Sequence, residues 1–325
     1  MTKLISIGEV LIDFIPHQKG IALKDVTSFE RAPGGAPANV AAAVAKFGHH
    51  SSMISKLGMD AFGDYLIEEL RMSGVETDKI LRTTEANTGL AFVSLKENGE
   101  RDFSFYRKPS ADLLLNEDEI ELDWFNKGDI LHFCSVDLVE SPMKQAHRKA
   151  IKMIKEKGGL VSFDPNVRLP LWDNPIDCRK AILEFLPDAH IVKISDEELE
   201  FITGIKEVEA AIDFLFIGDV QAVIFTKGPK GAELIIKGNK WVSEGYVVNV
   251  HDTTGAGDAF IGGFLYKLLE ADVTPNSLLS VLKENHKQIL QFANASGALT
   301  TTGKGAISAL PNKEQVMSLI AIQNS

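Results

Sequence analysis

The chain has 325 residues, of which 45% are hydrophobic and 24% are charged, and its mean hydropathy is close to zero. This length and composition predict a large, folded α/β core and exclude a disordered chain. The formal net charge of −11 disfavours nucleic acid or an anionic membrane as the main partner, and an anionic ligand would need a local positive site.

The N-terminal segment is predicted to be a buried strand that leaves the core at Gly8, within LISIGEVLIDFIP. Glu9 and Asp13 interrupt its apolar run and no small-residue cleavage site follows, which is unlike a signal peptide. The sequence contains no run of about 18 apolar residues that would span a bilayer. The two cysteines, Cys134 and Cys178, lack a CxxC arrangement and indicate ordinary packing residues in a reducing compartment. We therefore expect a cytoplasmic protein.

Three segments in the first third of the chain are short, partly alternating in hydrophobicity and punctuated by glycine and proline. They are ALKDVTSFERAPGG, TGLAFVSLKENGER and RDFSFYRKPSA. Such alternation indicates half-buried strands, and the Asn-Gly pair at 98–99 predicts a hairpin turn. We expect these segments to form a small β-sheet separate from the main domain.

Residues 32–48 combine a glycine-rich turn with a helix of small residues, APGGAPANVAAAVAKFG. A tight turn onto a closely packed helix accounts for the glycines and alanines. It does not account for Asn39, which is polar among alanines. A hydroxyl-binding role would explain that residue.

From about residue 128, the apolar runs DILHFCS, GLVSFDPN, AHIVKIS and AVIFTKG alternate with helical patterns. This alternation predicts a parallel sheet covered by helices on both faces, in which ligands bind beyond the carboxyl ends of the strands. A salt-bridged loop at 163–168 and a capping box of Ser195 and Glu198 are the simpler interpretations of two of these ends. The polar residues there are nevertheless site candidates: Asp164, Asn166, Arg168, Lys193, Ser195 and Thr226.

The segment DTTGAGDAF at residues 252–260 leads into a helical pattern and places Asp258 in the first helical turn. Exposed N–H groups at a glycine-rich helix start attract an anion such as phosphate. A carboxylate beside a phosphate is costly unless it accepts the proton of a hydroxyl that attacks that phosphate. The alternative is a helix start at which Asp258 is only a favourable charge. The segment is neither a Walker A motif nor a GxGxxG fingerprint.

In this order, these segments resemble the ribokinase-like (PfkB) carbohydrate kinases over nearly the whole chain. A GG-x-x-x-N loop is matched by Gly34, Gly35 and Asn39, and a D-T-x-G-A-G-D motif is matched by residues 252–258. The segments GEVLIDFIP, FSFYRKPSADLLL, FDPNVRLPLW and VKISDEELEFITG are most similar to fructokinases, although relatives that act on other keto-sugars or sugar acids share several of them.

The resemblance implies one ribokinase-like α/β kinase domain over residues 1–325, with a central, mostly parallel sheet flanked by helices. It implies a small β-sheet lid formed from approximately 12–33 and 88–110, which could pair with the lid of a second copy in a homodimer. The implied reaction is transfer of the γ-phosphoryl group of ATP to a primary hydroxyl of fructose, with Mg²⁺ and K⁺ as cofactors. The alternatives are a kinase for 2-keto-3-deoxygluconate or another keto-sugar, and a catalytically inactive sugar-binding regulator.

The resemblance also implies roles for individual residues. Asp258 would be the catalytic base, and the amides of Gly255, Ala256 and Gly257, with Asp258, would form the anion hole. The substrate would be bound by Asp13, Gly34, Gly35, Asn39, Phe103, Phe105, Arg107 and Arg168. The nucleotide site would be formed by Lys193, Thr226, Gly228, Asn294 and Ser195, the last standing where many relatives have asparagine. Metal sites would use Glu198 for Mg²⁺, and Asp252, Thr254, Thr300, Gly303 and Gly305 for a monovalent cation.

Overall fold

The computed structural model describes residues 2–18, 20–95 and 101–323, without the side chains of residues 95 and 101–103. Within this part of the chain, a nine-stranded sheet lies between helices, and a four-stranded sheet is separate from it. The predicted α/β fold class with a second, small β-sheet is therefore confirmed. The hairpin turn predicted at 98–99 lies outside the described residues.

The large sheet is mostly parallel. In spatial order its strands are β13 (Asn239–Ser243), β12 (Ala232–Ile236), β11 (Ala222–Thr226), β10 (Ile191–Ser195), β9 (Leu160–Asp164), β8 (Ile130–Cys134), β1 (Leu4–Ile7), β4 (Ser51–Gly58) and β5 (Ile80–Thr83). The pairs from β11 to β5 are parallel, whereas β12 and β13 add an antiparallel edge. The four apolar runs predicted as strands after residue 128 are thus β8 to β11, and their carboxyl ends share one edge of the sheet.

Helices cover both faces of this sheet. They are α1 (Ala36–Lys46), α2 (Ala61–Met72), α3 (Pro142–Glu156), α4 (Pro175–Phe185), α5 (Asp196–Thr203), α6 (Val208–Phe214), α7 (Ala256–Glu270), α8 (Leu278–Thr300) and α9 (Lys313–Gln323). One apolar cluster joins Leu4 to α1, α7 and α8, and a second joins Ile5 and Ile7 to α3 and α4. Successive residues of β1 thus point to opposite layers of the core. None of the described helices is long and apolar enough to cross a bilayer.

Helix α7 packs tightly between α1 and α8 because small residues line both contacts. A Cβ atom at Gly262 would lie 2.7 Å from the Cβ of Ala43 in α1, and one at Gly263 would lie 2.7 Å from Oγ of Ser296 in α8. This close approach brings the N-terminal turns of α1 and α7 together. The small-residue helix of the glycine-rich segment therefore determines where Asn39 and Asp258 meet.

The small sheet has the order β3 (Phe29–Gly34), β2 (Leu11–Pro16), β6 (Leu90–Leu95) and β7 (Arg101–Tyr106). Alternate residues of β2 point to opposite faces. One face carries an aromatic cluster in which the rings of Phe14 and Phe92 stack with centroids 4.7 Å apart, and Phe62 of α2 packs edge-on against Phe14. The other face lines the cavity described next.

Candidate active site

A cavity of about 420 Å³ lies between the small sheet and the carboxyl ends of β9 and β10. This size suits a small-molecule ligand. The small sheet contributes Leu11, Asp13, Ile15, Val93 and Phe105 to its wall. Many residues predicted from the sequence also line it: Gly35, Asn39, Arg168, Lys193, Ser195, Glu198, Thr254, Gly255, Gly257 and Asp258.

Asp258 lies in the first turn of α7, as predicted, and opens onto the cavity. Its Oδ2 accepts a hydrogen bond of 2.8 Å from Nδ2 of Asn39 in α1. Asn39 is buried, and its Oδ1 has no hydrogen-bond partner within the described chain. A hydroxyl group of a ligand could donate the hydrogen bond that this buried oxygen lacks.

Burial raises the pKa of Asp258, while the hydrogen bond from Asn39 and the positive charges of Lys193 and Arg168 act in the opposite direction. A carboxylate with a raised pKa is a stronger base than an exposed aspartate, which favours a role in proton abstraction.

The turn that begins α7 requires glycine at position 255. Gly255 has a φ of 73°, and a Cβ atom there would lie 2.7 Å from the Cβ of Ala306. Gly255 and Gly257 both line the cavity, and Ala256 between them is the first residue of the helix. The N–H groups of this first turn have no helical acceptors and lie at the positive end of the helix dipole, so the turn is suited to bind an anion.

The second glycine-rich turn lies so close to neighbouring atoms that positions 34 and 35 leave no room for a side chain. A side chain at Gly34 would place its Cβ 2.3 Å from Oδ2 of Asp13, and one at Gly35, whose φ is 109°, would lie 2.3 Å from the carbonyl oxygen of Glu9. Gly34 therefore allows the end of β3 to lie against Asp13 of β2, and Gly35 allows the start of α1 to lie against the backbone that precedes β2. Gly35 and Asp13 line the cavity, and Gly34 contacts the carboxylate of Asp13.

Glu9 is a lining residue that the sequence analysis did not select. Its Oε1 accepts a hydrogen bond of 3.0 Å from the N–H of Ala36 at the start of α1. Its Oε2 is buried without a hydrogen-bond partner among the described residues. Burial, together with the charge of Asp137, raises the pKa of Glu9 well above its ordinary value. The sequence signal was an acidic residue directly after a buried strand, which we interpreted only as an interruption of the apolar run.

Arg107 lies outside the described lining of the cavity. Its guanidinium is buried and donates hydrogen bonds to Asp112 and Asp137. Burial raises the pKa of Asp137 to about 7, although the charge of Arg107 opposes this shift. Because these two carboxylates hold the guanidinium, the structure does not bring Arg107 to the cavity with the other predicted substrate residues. Phe103 is in β7, but its side chain is outside the described residues.

Ser195 and Glu198 form the capping box that the sequence predicted at the start of α5. Oε2 of Glu198 accepts hydrogen bonds from the N–H and the hydroxyl of Ser195, at 3.0 and 2.7 Å, and Oε1 accepts one of 2.7 Å from the N–H of Val167. Burial favours the neutral acid, but the charge of Lys193 and these hydrogen bonds lower the pKa of Glu198 overall. The capping box therefore presents an ionised carboxylate to the cavity.

The loop before α7 is tied to the loop after α8 through Asp252. Its Oδ1 accepts hydrogen bonds from the N–H and hydroxyl of Thr254, and its Oδ2 accepts one of 3.0 Å from the N–H of Gly305. The hydroxyl of Thr300 donates to a carbonyl within α8, and the N–H of Gly303 donates to the carbonyl of Thr300. In the described part of the chain, no group of three or more His, Cys, Asp or Glu side chains could hold a metal ion.

The remaining predicted nucleotide residues continue along the same edge of the sheet, beyond the described lining. Thr226 is the register partner of Ser195 in the adjacent strand. Gly228 follows in the turn after β11. Asn294 of α8 is buried, and its Nδ2 donates to oxygens of Ser243 and Glu244.

The chain is similar to known proteins over nearly its whole length. The family model of pfkB family carbohydrate kinases matches residues 1–313. The chain is 42% identical over 321 residues to probable fructokinase-4 of Arabidopsis thaliana, covering 98% of this chain and 96% of that protein. It is similar to the structure of a fructokinase with bound ATP from Xylella fastidiosa, with a TM-score of 0.89, 34% identity and 99% of both chains covered. A fructokinase from Vibrio cholerae O395, with fructose, ADP and calcium ion bound, gives a TM-score of 0.87 at 36% identity, covering 98% of this chain and 99% of that one. The chain therefore belongs to the pfkB family of carbohydrate kinases.

Proposed function

We propose that this protein is an ATP-dependent fructokinase that phosphorylates a primary hydroxyl of fructose. The observation that carries the proposal is the carboxylate of Asp258, which opens onto the cavity at the glycine-rich start of α7 and is held there by Asn39. The relatives named above support fructose as the sugar, because they are named fructokinases and one of them has fructose bound.

The sugar would lie between the small sheet and the start of α1. Asp13 from β2 and Asn39 from α1 both line the cavity and would offer oxygen atoms to sugar hydroxyls, and Phe105 would provide an apolar surface. The oxygens Oδ1 of Asn39 and Oε2 of Glu9 have no hydrogen-bond partner among the described residues, so both can bond to a ligand. A polyhydroxylated ligand is suited to this arrangement because it carries several donors close together.

In the reaction, Asp258 accepts the proton of the attacking hydroxyl. The hydroxyl oxygen forms a bond to the γ-phosphorus, the bond from that phosphorus to the oxygen bridging to ADP breaks, and ADP and the sugar phosphate result. The amides of Gly255, Ala256 and Gly257 would neutralise charge on the transferred group. The small sheet would exclude water, which is a competing acceptor of the phosphoryl group.

The residues present also fit the cations that such a reaction uses. Glu198 is ionised, but its oxygens already accept three hydrogen bonds from the chain, so it would contact Mg²⁺ through water while the phosphates of ATP supply direct ligands. Magnesium bound with ATP neutralises phosphate charge. The carbonyl-rich loops that Asp252 joins would hold K⁺ beside the start of α7.

A coupled assay of ADP release across fructose, ribose, 2-keto-3-deoxygluconate and tagatose tests the proposal. We expect fructose to have the highest kcat/KM. Arg168 lines the cavity and offers a cation to a sugar acid, so 2-keto-3-deoxygluconate is the main competitor. If that acid were preferred tenfold, about 1.4 kcal/mol in transition-state binding, fructose would be the wrong substrate. Absence of ADP release with every sugar would indicate a non-catalytic sugar-binding protein.

A further inference from the structure

A second cavity, of about 670 Å³, lies next to the candidate active site, and Leu171 lines both. Its wall is formed by the segments that follow β8 and β9, by α4 and by residues 107–109, which follow β7. Ligands of parallel sheets bind beyond the carboxyl ends of the strands, and the volume suits a small organic molecule. The proposed reaction does not use this cavity, so it is a candidate for a separate binding site.

The lysines of this wall are already paired. Each of the three in the described lining has its Nζ within 3.8 Å of a carboxylate of the same wall: Lys108 of Asp173, Lys144 of Glu140 and Glu184, and Lys180 of Asp177. Their charges are largely neutralised in these pairs. The groups that remain for a ligand are therefore the polar atoms that have no partner.

Two such atoms belong to the wall, and both are donors. Nε of Arg107 and Nε1 of Trp172 are buried without a hydrogen-bond partner in the described part of the chain. Arg107 as a whole is only 5% exposed. Guanidinium and indole groups donate and do not accept, so a ligand must supply acceptor oxygens. Leu138, Leu171 and the ring of Trp172 supply apolar surface around them.

The start of α3 lies in the same wall. Ser141 precedes this 15-residue helix without making a side-chain cap, and it lines the cavity together with Pro142. The positive end of the helix dipole therefore acts in the same direction as the charge of Arg107.

We propose that the second cavity binds a small organic anion, a carboxylate or a phosphate ester with an apolar body, through Arg107 and Trp172, and that its occupancy weakens sugar binding. The binding site stands independently of the proposed reaction. The effect on sugar rests on the proposed function.

Arg107 can accept an external anion because one of its present partners can become neutral. Its Nη2 donates to Asp112 and to Asp137. Burial raises the pKa of Asp137 to about 7, with the charge of Arg107 lowering it and that of Asp112 raising it. The other titratable group beside Asp137 is Glu9, whose pKa is also raised. An anion at the guanidinium would favour protonation of Asp137, so it should bind with uptake of a proton and more tightly at pH 6 than at pH 8.

The same guanidinium connects the two cavities. Arg107 directly follows β7, whose Phe105 lines the first cavity, and the charge of Asp137 acts on Glu9, which lines it too. An anion that draws Arg107 away from its two carboxylates would loosen the end of β7 and so weaken the sugar site. By linkage, bound sugar would weaken anion binding by the same factor.

Calorimetry with benzoate, phenyl phosphate and neutral benzyl alcohol tests the site, on protein saturated with ADP so that the proposed phosphate site is occupied. We expect each anion to bind once per chain and benzyl alcohol to bind at least about tenfold more weakly. Trp172→Phe keeps an aromatic ring but removes Nε1, and it should weaken both anions by roughly 10–100-fold. Trp124→Phe is the matched control, because Trp124 is also half-buried against the core but lies outside the described lining of the second cavity. It should leave the affinity for both anions unchanged.

Two further measurements test the role of Arg107 and its link to the sugar. Asp137→Asn keeps an acceptor for the guanidinium but cannot take up the proton, so its affinity for benzoate should no longer rise between pH 8 and pH 6. In the wild type, added fructose should raise the apparent Kd of benzoate by about fivefold or more and then reach a plateau.

Equal affinity for benzyl alcohol and the anions, or full anion affinity in Trp172→Phe, would overturn the anion site. An apparent Kd that rises with fructose without a plateau would place both ligands in one cavity and overturn the proposal as well. Anion binding with no effect of fructose would overturn only the regulatory role. Wild-type protein without activity on any sugar would overturn the proposed function, while the calorimetry would still decide whether the anion site exists.

Discussion

Asp258→Asn isolates the chemical role of the residue at the start of α7, because it keeps the size of the side chain and removes its charge. Nδ2 of Asn39 now donates to Oδ2 of Asp258, and it would still find an amide oxygen in the variant. The other atom of the new side chain is then an NH₂ group, which cannot accept the proton of the sugar hydroxyl. Loss of a general base lowers the rate by about 10²–10⁴-fold, or about 3–5 kcal/mol in activation free energy.

The stability of the Asp258→Asn variant should stay close to that of the wild type. Loss of a first-turn charge costs about 0.3–1 kcal/mol. Burial raises the pKa of Asp258, so its ionised form is already disfavoured in the folded protein, and neutralisation offsets part of this cost. The melting temperature should therefore change by less than about 3 °C. Binding of ATP should be kept or strengthened, because a negative charge near the phosphates is removed.

The assay compares kcat from coupled ADP release, ATP affinity from calorimetry and the melting temperature. Asp64→Asn is the control, because Asp64 is also an acidic residue in a first helical turn, in α2, but is exposed and outside the described lining of the cavity. It should leave kcat unchanged. If Asp258→Asn behaved like this control, the carboxylate would be only a helix-start charge, and the proposed reaction mechanism would be wrong.

Three further predictions concern the small sheet, the cation and a buried histidine. Phe105 lines the cavity from β7, so Phe105→Ala should raise KM for sugar far more than KM for ATP; an unchanged sugar KM would argue against sugar contact. K⁺ should raise kcat more than Na⁺ by ordering the loops that Asp252 joins, and equal rates in K⁺-free buffer would contradict this site. Burial lowers the pKa of His132 to about 3, so the unfolded chain binds a proton that the folded chain does not between pH 6.5 and about 3. The stability that the protein has with His132 neutral is therefore fully present above pH 6.5 and is lost as the pH falls below it. The unfolding free energy, measured with urea, should decline between pH 6 and 5 in both proteins. The decline in His132→Gln should be smaller than in the wild type by up to about 1.4 kcal/mol per pH unit. An equal decline in both proteins would contradict the predicted effect of His132.

The parts of the site that the sequence predicts well are those encoded within a few residues. The helix start at Asp258 and the capping box of Ser195 and Glu198 each depend on a local pattern, and both are present. The strands β8 to β11 were predicted because each is a short apolar run between helical patterns. The antiparallel edge of β12 and β13 was not predicted, and β13 is mostly exposed.

Long-range pairing accounts for what the sequence did not predict. Glu9 binds the N–H of Ala36, 27 residues later, and no local pattern records that contact. The resemblance implied that Arg107 binds substrate, but Asp137, 30 residues away in the sequence, holds its guanidinium in the interior. Lys193 and Asp164 were each candidates as strand-end residues, and only the adjacency of β9 and β10 in the sheet shows that they form a pair.

An acidic chain can bind ATP when the charges closest to the phosphates favour binding, whatever the net charge of the chain. Three of the carboxylates in and beside the cavity accept hydrogen bonds from the chain: Glu198 from the amides of Ser195 and Val167, Asp164 from Lys193, and Asp258 from Asn39. The charge of Lys193 and the first turn of α7 lie close together and would act on an incoming phosphate at short range, where protein rather than solvent fills most of the space. The net charge of −11 is spread over the whole chain and is screened within about 10 Å at ordinary salt. A rise in ionic strength should therefore affect the encounter with ATP more than the proposed transfer step at Asp258.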